Sequence, residues 1–305
     1  MKMILHPKQV LRGLYYGQRW RLKRLLRIAD KPRAPVLSST TGAALERHLR
    51  ICTLLAGNLK GLDLIQGGMA CEVGSGDCLA SADLFLGAGF DKVYLVEKQS
   101  IVVDQRQRDV LRALADRPEL PNAMQAMVDS DRPAINAEKV KVIPAFFEEA
   151  AIPEKVDFIF SFDVLEHVED LDGFFKKCAD ILSPNGVMLH KFDLSGHEFF
   201  EDPMPPLDFQ TYPDWLYRLM FPKYRRACRR FLDEIVAAMG KAGFELTNQV
   251  VLRAADADYI KMLHPSLCSK ARKRSLDQLA PLDVVATLKL APKRGYNGDF
   301  KGFWC

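Results

Sequence analysis

The stretch Met69-Ala-Cys-Glu-Val-Gly-Ser-Gly-Asp-Cys78 constrains the fold of this chain more than any other. An apolar run ends in an acid, breaks into two glycines, and gives way to apolar-periodic residues. The pattern reads as a strand, a tight loop and a helix start. Gly74 and Gly76 lack a Cβ, so the chain can turn sharply and a ligand can come close to the backbone, facing the N–H groups that open the next helix. Val93-Tyr-Leu-Val-Glu97 is a β-branched and aromatic run that ends in a carboxylate 21 residues after Gly76. That is close to the ~20-residue offset at which an acid closing a second strand binds a ribose. Together the two signals place a nucleoside across neighbouring strand ends.

The same residues narrow the choice of nucleoside. A dinucleotide loop needs a third glycine at position 79, where this chain has Leu79. Glu72 suits an ammonium group, directly or through water, and would repel a diphosphate. S-adenosylmethionine carries that ammonium and no phosphate. Glu72-Val-Gly-Ser-Gly-Asp resembles the first motif of the class I S-adenosylmethionine-dependent methyltransferases, Glu/Asp-x-Gly-x-Gly-x-Gly, with Cys78 in place of the last glycine. Val156-Asp-Phe-Ile-Phe-Ser-Phe-Asp163 with Val164-Leu-Glu-His-Val168 is similar to that family's fourth strand and Asp-x-x-Glu-His signature. Leu182-Ser-Pro-Asn-Gly-Val-Met-Leu-His190 is similar to the turn and fifth strand that follow.

The resemblance implies an α/β chain: a seven-stranded, mostly parallel Rossmann-like methyltransferase sheet with helices on both faces. To this the sequence adds an N-terminal basic helix and an insertion after the fifth strand. The implied cofactor is S-adenosyl-L-methionine, leaving as S-adenosyl-L-homocysteine. Glu72, Gly74, Ser75 and Gly76 would surround its methionine part, Glu97 would take the ribose hydroxyls, and Lys98 would lie beside the adenine. Asp163 would offer backbone or carboxylate to the amino group, and Ala145 and Phe146 would supply backbone or stacking contacts.

At 305 residues, with 48% apolar and 27% charged, the chain has an ordinary globular composition. It has no apolar run near the ~20 residues that span a bilayer and no small-residue cleavage site behind an apolar start, so it reads as cytoplasmic. Seven cysteines without metal-ligand spacing read as reduced thiols. Net charge is +4, but residues 1–35 hold ten Lys/Arg against Asp30. Arg12, Arg19, Arg21, Lys23, Arg24 and Arg27 interleave there with Leu11, Leu14, Tyr15, Tyr16, Trp20, Leu22, Leu25, Leu26 and Ile28. Two readings stay open: a basic helix lying on an anionic membrane, such as the inner membrane surface, or on a polyanion, and a solvated helix packing its apolar face on the core.

The chain divides into a basic segment (1–35), a cofactor-binding core (36–195), a substrate-capping insertion (196–230), the closing part of the fold (231–292) and a tail (293–305). Helices are expected from Ser38-Ser-Thr-Thr41 toward Asn58, through about Phe85, over Ser100 to Ala115, from about Leu171 to Leu182 and near Phe231 to Ala242. Residues 116–138 read as a polar loop or small insertion. Phe244–Val251 and Val284–Leu290 would close the sheet as an antiparallel hairpin, with residues 253–282 inserted between them.

The capping insertion carries Tyr212, Trp215 and other aromatics, then Arg225, Arg226, Arg229 and Arg230. Either these line a substrate pocket, with Tyr212, Trp215 and Arg225 as contacts, or they form a small second core. Methyl transfer to a hydroxyl needs alignment and a proton acceptor. His190, Asp193 and His197 cluster at the end of the fifth strand, and His167 follows the fourth. An imidazole titrates near neutrality, so His197 is the first candidate base, His190 the second and His167 a lining residue, with Asp193 on the substrate. His190, Asp193 and His197 could instead hold a divalent metal; none is assigned. The expected reaction is O-methylation of a small-molecule or glycan-type acceptor. Its rivals are an RNA methyltransferase and a non-catalytic binding module at a membrane or polyanion surface. Nucleic acid is disfavoured, because Ser161-Phe-Asp-Val164 stands where base N-methylating enzymes carry Asn/Asp-Pro-Pro-Tyr/Phe.

Overall fold

The computed structural model describes residues 7–26, 41–59, 67–76, 78–98, 101, 103–118, 120, 125–128, 134–196, 205–221 and 227–292. Two helices, α1 (Pro7–Leu25) and α2 (Thr41–Leu59), precede β1 (Met69–Val73). The alternation then runs α3 (Ala80–Gly87), β2 (Lys92–Val96), α4 (Gln105–Ala115), a short ribbon of β3 (Met127–Val128) and β4 (Ala134–Ile135), and β5 (Val140–Ile143). After β6 (Val156–Phe162) come α5 (Leu171–Ile181), β7 (Leu182–Asp193), α6 (Asp214–Met220), α7 (Leu232–Lys241) and β8 (Phe244–Ala254). Three short helices, α8 (Ala257–Leu263), α9 (Ser269–Arg272) and α10 (Leu276–Leu279), lead into β9 (Pro281–Leu290).

Seven strands form one sheet in the order β5-β2-β1-β6-β7-β9-β8. The first five pair in parallel, and β9 runs antiparallel to both β7 and β8. The chain winds outward from β1 to one edge, returns, and continues from β6 to the other. The switch point therefore falls between β1 and β6, where sheets of this kind bind ligands beyond the carboxyl ends of the strands.

Strands β1, β2, β6, β7 and β9 are mostly buried on both faces, so they are apolar on alternate and intervening positions alike, whereas the edge strand β8 is mostly exposed. Ala70, Phe158 and Phe160 face a core shared with α2, α3 and α4, while Cys71, Ile159 and Phe192 face one shared with α5 and α7. Phe85 packs edge-on against Phe158 and Phe160, with centroids 5.5 and 6.0 Å away. Burying each ring contributes roughly 1.5–3 kcal/mol.

Local chemistry sets several boundaries. The expected start of α4 at Ser100 moves to Gln105, because the Asp104 carboxylate accepts from the N–H groups of Arg106 and Gln107. The segment read as a loop over 116–138 includes the β3–β4 ribbon, tied to the core where buried Asp83 accepts from the N–H groups of Gln125 and Ala126 at 2.6 and 3.0 Å. Leu182–Gly186, read as a turn, lies within β7, and the β6–β7 register is irregular between Val156 and Phe158.

A third core lies at the carboxyl end of the sheet. It joins Leu207, Phe209, Tyr212, Tyr217, Met220 and Phe231 from the segment after β7 to Ile260, Leu263, Leu267 and Leu279 from the β8–β9 connection. Both segments leave from the same end, since Asp193 at the end of β7 pairs with Asp283 near the start of β9. Val10 and Leu14 of α1 pack on this cap. Helix α1 meets α6 through small residues: a Cβ on Gly17 would lie 2.6 Å from the Leu219 carbonyl oxygen, and one on Gly13 would lie 2.8 Å from Met220 Cε. The Arg21 guanidinium donates to the carbonyls of Leu219 and Arg218 at 2.9 and 2.7 Å, closing the open end of α6. The N-terminal helix is therefore seated on the cap, while much of its remaining surface faces solvent.

Candidate functional site

The glycine loop crosses from β1 to α3 at the switch point. Gly74 and Gly76 take φ of +73° and +69°, a region that side chains rarely enter. A Cβ on Gly74 would collide with Val164 Cγ2, so the β1 loop and the loop after β6 approach to a distance that only hydrogen allows. In front of Gly76 the space is open: among the described residues, its chain neighbours aside, no heavy atom comes within 4 Å of where a Cβ would stand. Glu97, at the end of β2, accepts the Gly76 N–H at 3.0 Å and so sits directly against the loop. The Ser75 hydroxyl is buried and has no hydrogen-bond partner among the described residues. Phe146, just after β5, is 44% exposed. An open cradle, a buried hydroxyl lacking a partner, a strand-end carboxylate and an exposed ring fit a nucleoside carrying an amino-acid tail.

Glu72 is buried at the end of β1 and accepts a hydrogen bond from the Ser81 hydroxyl. Burial pushes its carboxyl up to about 7, with Glu97 adding to the rise and the Ser81 hydrogen bond opposing it. Helix α3 has no side-chain cap of its own; the fully buried Gln107 of α4 instead accepts the Leu79 N–H at 3.0 Å. That support was not read from the sequence, because a glutamine in a helix gives no sign of which distant N–H it will reach.

Beyond β6 and β7 the site becomes charged. Asp163 stands at φ 55°, and its carboxylate takes the Lys191 ammonium at 2.6 Å, which also reaches Asp283 at 2.8 Å. Arg253 of β8 bonds Asp283 and reaches Asp193 at 3.2 Å and the Ser195 hydroxyl at 2.9 Å. Glu166 lies beneath them, 2% exposed, with one oxygen accepting the Asp193 N–H at 3.3 Å and the other without a hydrogen-bond partner. Burial, then the neighbouring Asp163 and Asp193, hold its carboxyl well above the ordinary range. The Asp163–His167 string contains Glu166, but nothing in it says that this side chain turns inward.

The cap is tied to these strand ends. Cys228 N–H donates to the Glu166 carbonyl at 2.6 Å, and Arg230 donates to the Glu169 carbonyl at 2.7 Å. Arg229 is consumed inside the cap, bonding Gln210 through Nε (3.1 Å) and Nη2 (2.9 Å) and Asp214 through Nη1 (3.0 Å). These two arginines serve the cap rather than an anionic ligand. Tyr212 is fully buried in the cap core, a packing position, whereas Trp215 on α6 is 68% exposed.

His190 is the clearest departure from expectation. It has no exposed surface, its Nδ1 shares a 2.7 Å hydrogen bond with Ser161 Oγ, and its ring packs edge-on against Phe174 and Phe175. Burial lowers its pKa to about 3, so it is a neutral interior group out of reach of an acceptor. His167 remains at the strand-end loop, half-buried, in a short 3₁₀ turn. Glu97 and Asp193 are half-buried, Lys98 is exposed and Ala145 half-buried. His197 and Arg225 lie outside the described residues.

Comparison with known proteins follows this geometry. The model of a family described as "Methyltransferase domain" matches residues 45–249. A ubiquinone biosynthesis O-methyltransferase from Chelativorans sp. (strain BNC1) is 51% identical over 35 residues, 12% of this chain and 14% of that protein. The chain thus spans only about a seventh of this curated relative. Among solved structures, geranyl diphosphate C-methyltransferase from Streptomyces coelicolor A3(2), in complex with Mg²⁺, geranyl diphosphate and S-adenosyl-L-homocysteine, is 13% identical with a TM-score of 0.47; 85% of this chain and 87% of that one are covered. An S-adenosylmethionine-dependent methyltransferase from Mesorhizobium loti is 13% identical with a TM-score of 0.42, covering 83% of this chain and 99% of that one. The family match runs from α2 into β8, across the glycine loop, the switch point and the charged strand ends, and on it the chain belongs to the class I S-adenosylmethionine-dependent methyltransferases, enzymes of one-carbon transfer.

Proposed function

We propose that the enzyme methylates a hydroxyl oxygen of a small-molecule or glycan-type acceptor held between the glycine-loop end of the sheet and the cap. The observation that carries this reading is the tethering of the cap to the loop that leaves β6, through Cys228 to Glu166 and Arg230 to Glu169. A cap fastened beside the cofactor loop would suit a compact acceptor and exclude water from the reaction. The short match to an O-methyltransferase agrees with an oxygen acceptor.

When bound, S-adenosylmethionine supplies an electrophilic methyl group on a sulfonium. Glu72, Gly74, Ser75, Gly76 and Asp163 would hold its amino-acid part, Glu97 the ribose, and Lys98, Ala145 and Phe146 the adenine region. The protein's own task is to align the acceptor oxygen and take its proton. His197, four residues after the last residue of β7 in the sequence, is the proposed base; His167, on the loop after β6, is the second candidate. Asp193, Trp215 and Arg225 are the proposed acceptor contacts. Tyr212 acts from behind, through the packing of the cap.

A labelled methyl group on the donor, incubated with fractionated lysate, identifies the product by mass spectrometry. An O-methyl product supports the reading, and label found only on nitrogen or carbon removes it. His197→Ala should lower turnover by roughly 10²- to 10⁴-fold with cofactor affinity retained. Wild-type turnover in that variant transfers the role to His167.

A further inference from the structure

Helix α1 presents three different sides. Val10, Gly13, Leu14, Gly17 and Arg21 face the cap. Leu11, Tyr15, Leu22 and Leu25, at steps of four, seven and three residues, form one stripe in solvent, with Leu11 68% and Leu25 80% exposed. Leu26, one residue past the helix, is 59% exposed. Lys8, Arg12, Arg19 and Lys23, at steps of four, seven and four, run beside the stripe. No Asp or Glu occurs from Pro7 to Leu26. A shallow open concavity lies among Tyr15, Gln18, Arg19, Arg21, Leu22 and Leu25.

A helix that served only to brace the cap would spend its apolar residues on the side toward α6. Here that side is built from glycines, Val10 and Leu14, and the larger leucines point away. A stripe of leucines with a tyrosine, flanked on one side by the exposed cations Lys8 and Arg19 on a helix without acidic residues, matches the boundary between acyl chains and anionic headgroups. We propose that the solvent-facing side of α1 docks the protein on an anionic lipid bilayer. The leucines and Tyr15 enter the headgroup boundary, and Lys8 and Arg19 meet lipid phosphates. Because α1 is bonded to α6 by Arg21 and the glycine seam, docking brings the bilayer against the cap that stands over the acceptor end of the sheet. Resting on the methyl-transfer reading above, this favours an acceptor that is itself membrane-associated.

The test uses the whole protein and sedimentation with vesicles. Vesicles of about three parts phosphatidylcholine to one part phosphatidylglycerol should pellet it, and pure phosphatidylcholine should not; added salt should weaken the anionic binding. The paired substitution Leu22→Glu with Leu25→Glu should weaken partitioning by roughly a hundredfold, and Lys8→Ala with Arg19→Ala by roughly tenfold. All four positions are exposed, and unchanged circular dichroism and cofactor calorimetry verify the fold. Wild-type protein that stays in solution, binds neutral vesicles equally well, or keeps its affinity after the leucine substitutions overturns the proposal. So does retention on heparin without vesicle binding, which would mark a polyanion partner. The readout does not involve methyl transfer, so failure here leaves the proposed reaction standing, and failure of that reaction leaves the docking result intact.

Discussion

Glu72 is a buried structural group and, in the site proposed above, one that would sense the ligand. Its value of about 7 in the fold lies above the ordinary 4.5, so its contribution to stability is complete below about pH 4.5 and is lost as pH rises through 7. A bound ammonium reverses that preference by favouring the carboxylate. Cofactor binding should therefore release a fraction of a proton near pH 6.5, read as a dependence of binding enthalpy on the buffer's ionisation heat; Glu72→Gln should abolish it. Equal enthalpies in two such buffers would remove Glu72 from the amino-group site. His190 works in the other direction. Its pKa is about 3 in the fold against 6.5 outside it, so it costs nothing above about pH 6.5 and destabilises progressively as pH falls toward 3. His48, lowered to about 4 by burial and then Arg47, adds to the same acid loss. Melting temperature should fall between pH 6.5 and 4, and replacing the buried pair together, His190→Leu with Ser161→Ala, should flatten part of that fall. Gly74→Ala should lower stability by about 1–3 kcal/mol and weaken cofactor binding, through left-handed backbone and the contact with Val164. Gly240→Ala in α7, with open space around it, is the control and should be neutral or slightly stabilising in the same melts.

At the scale of elements, the α1–α6 seam makes a sharp prediction. Gly17 sits 2.6–2.7 Å, measured from a notional Cβ, from two backbone carbonyl oxygens, which cannot retreat as a flexible side chain could. Gly17→Leu should detach α1, exposing it to proteolysis and raising amide exchange in α6, while the sheet's protection stays unchanged. Arg21→Ala should do the same more weakly. The alternation of strands and helices was readable at this scale because βαβ units announce themselves by period and spacing, and the β8–β9 hairpin closes the sheet as expected. The missed β3–β4 ribbon has two residues in each strand, too few to show any alternation, and it is pinned by Asp83 from a different helix.

For the whole molecule, the sheet and the cap are separate packing units joined at the carboxyl end. Deleting residues 1–26 should leave cofactor affinity within about threefold, since the packing described for α1 is on α6 and the cap, while acceptor turnover falls as the cap loosens. Calorimetry and a methyl-label assay on the same preparation separate the two effects. The amino-acid string alone determined the methyltransferase sheet and the identity of the methyl donor. Those depend on short-range facts: glycines that permit φ above zero, a carboxylate one strand away, and apolar runs of strand length. Tertiary structure decided the rest. It put His190 among Phe174, Phe175 and Ser161, and spent Arg229 on Gln210 and Asp214. It buried Glu166 under Asp193, and built one cap from α1, the segment after β7 and the β8–β9 connection. A strand buried on both faces reads as apolar whichever way its one histidine points, and a polar side chain's role depends on partners tens to hundreds of residues distant, which no local pattern encodes.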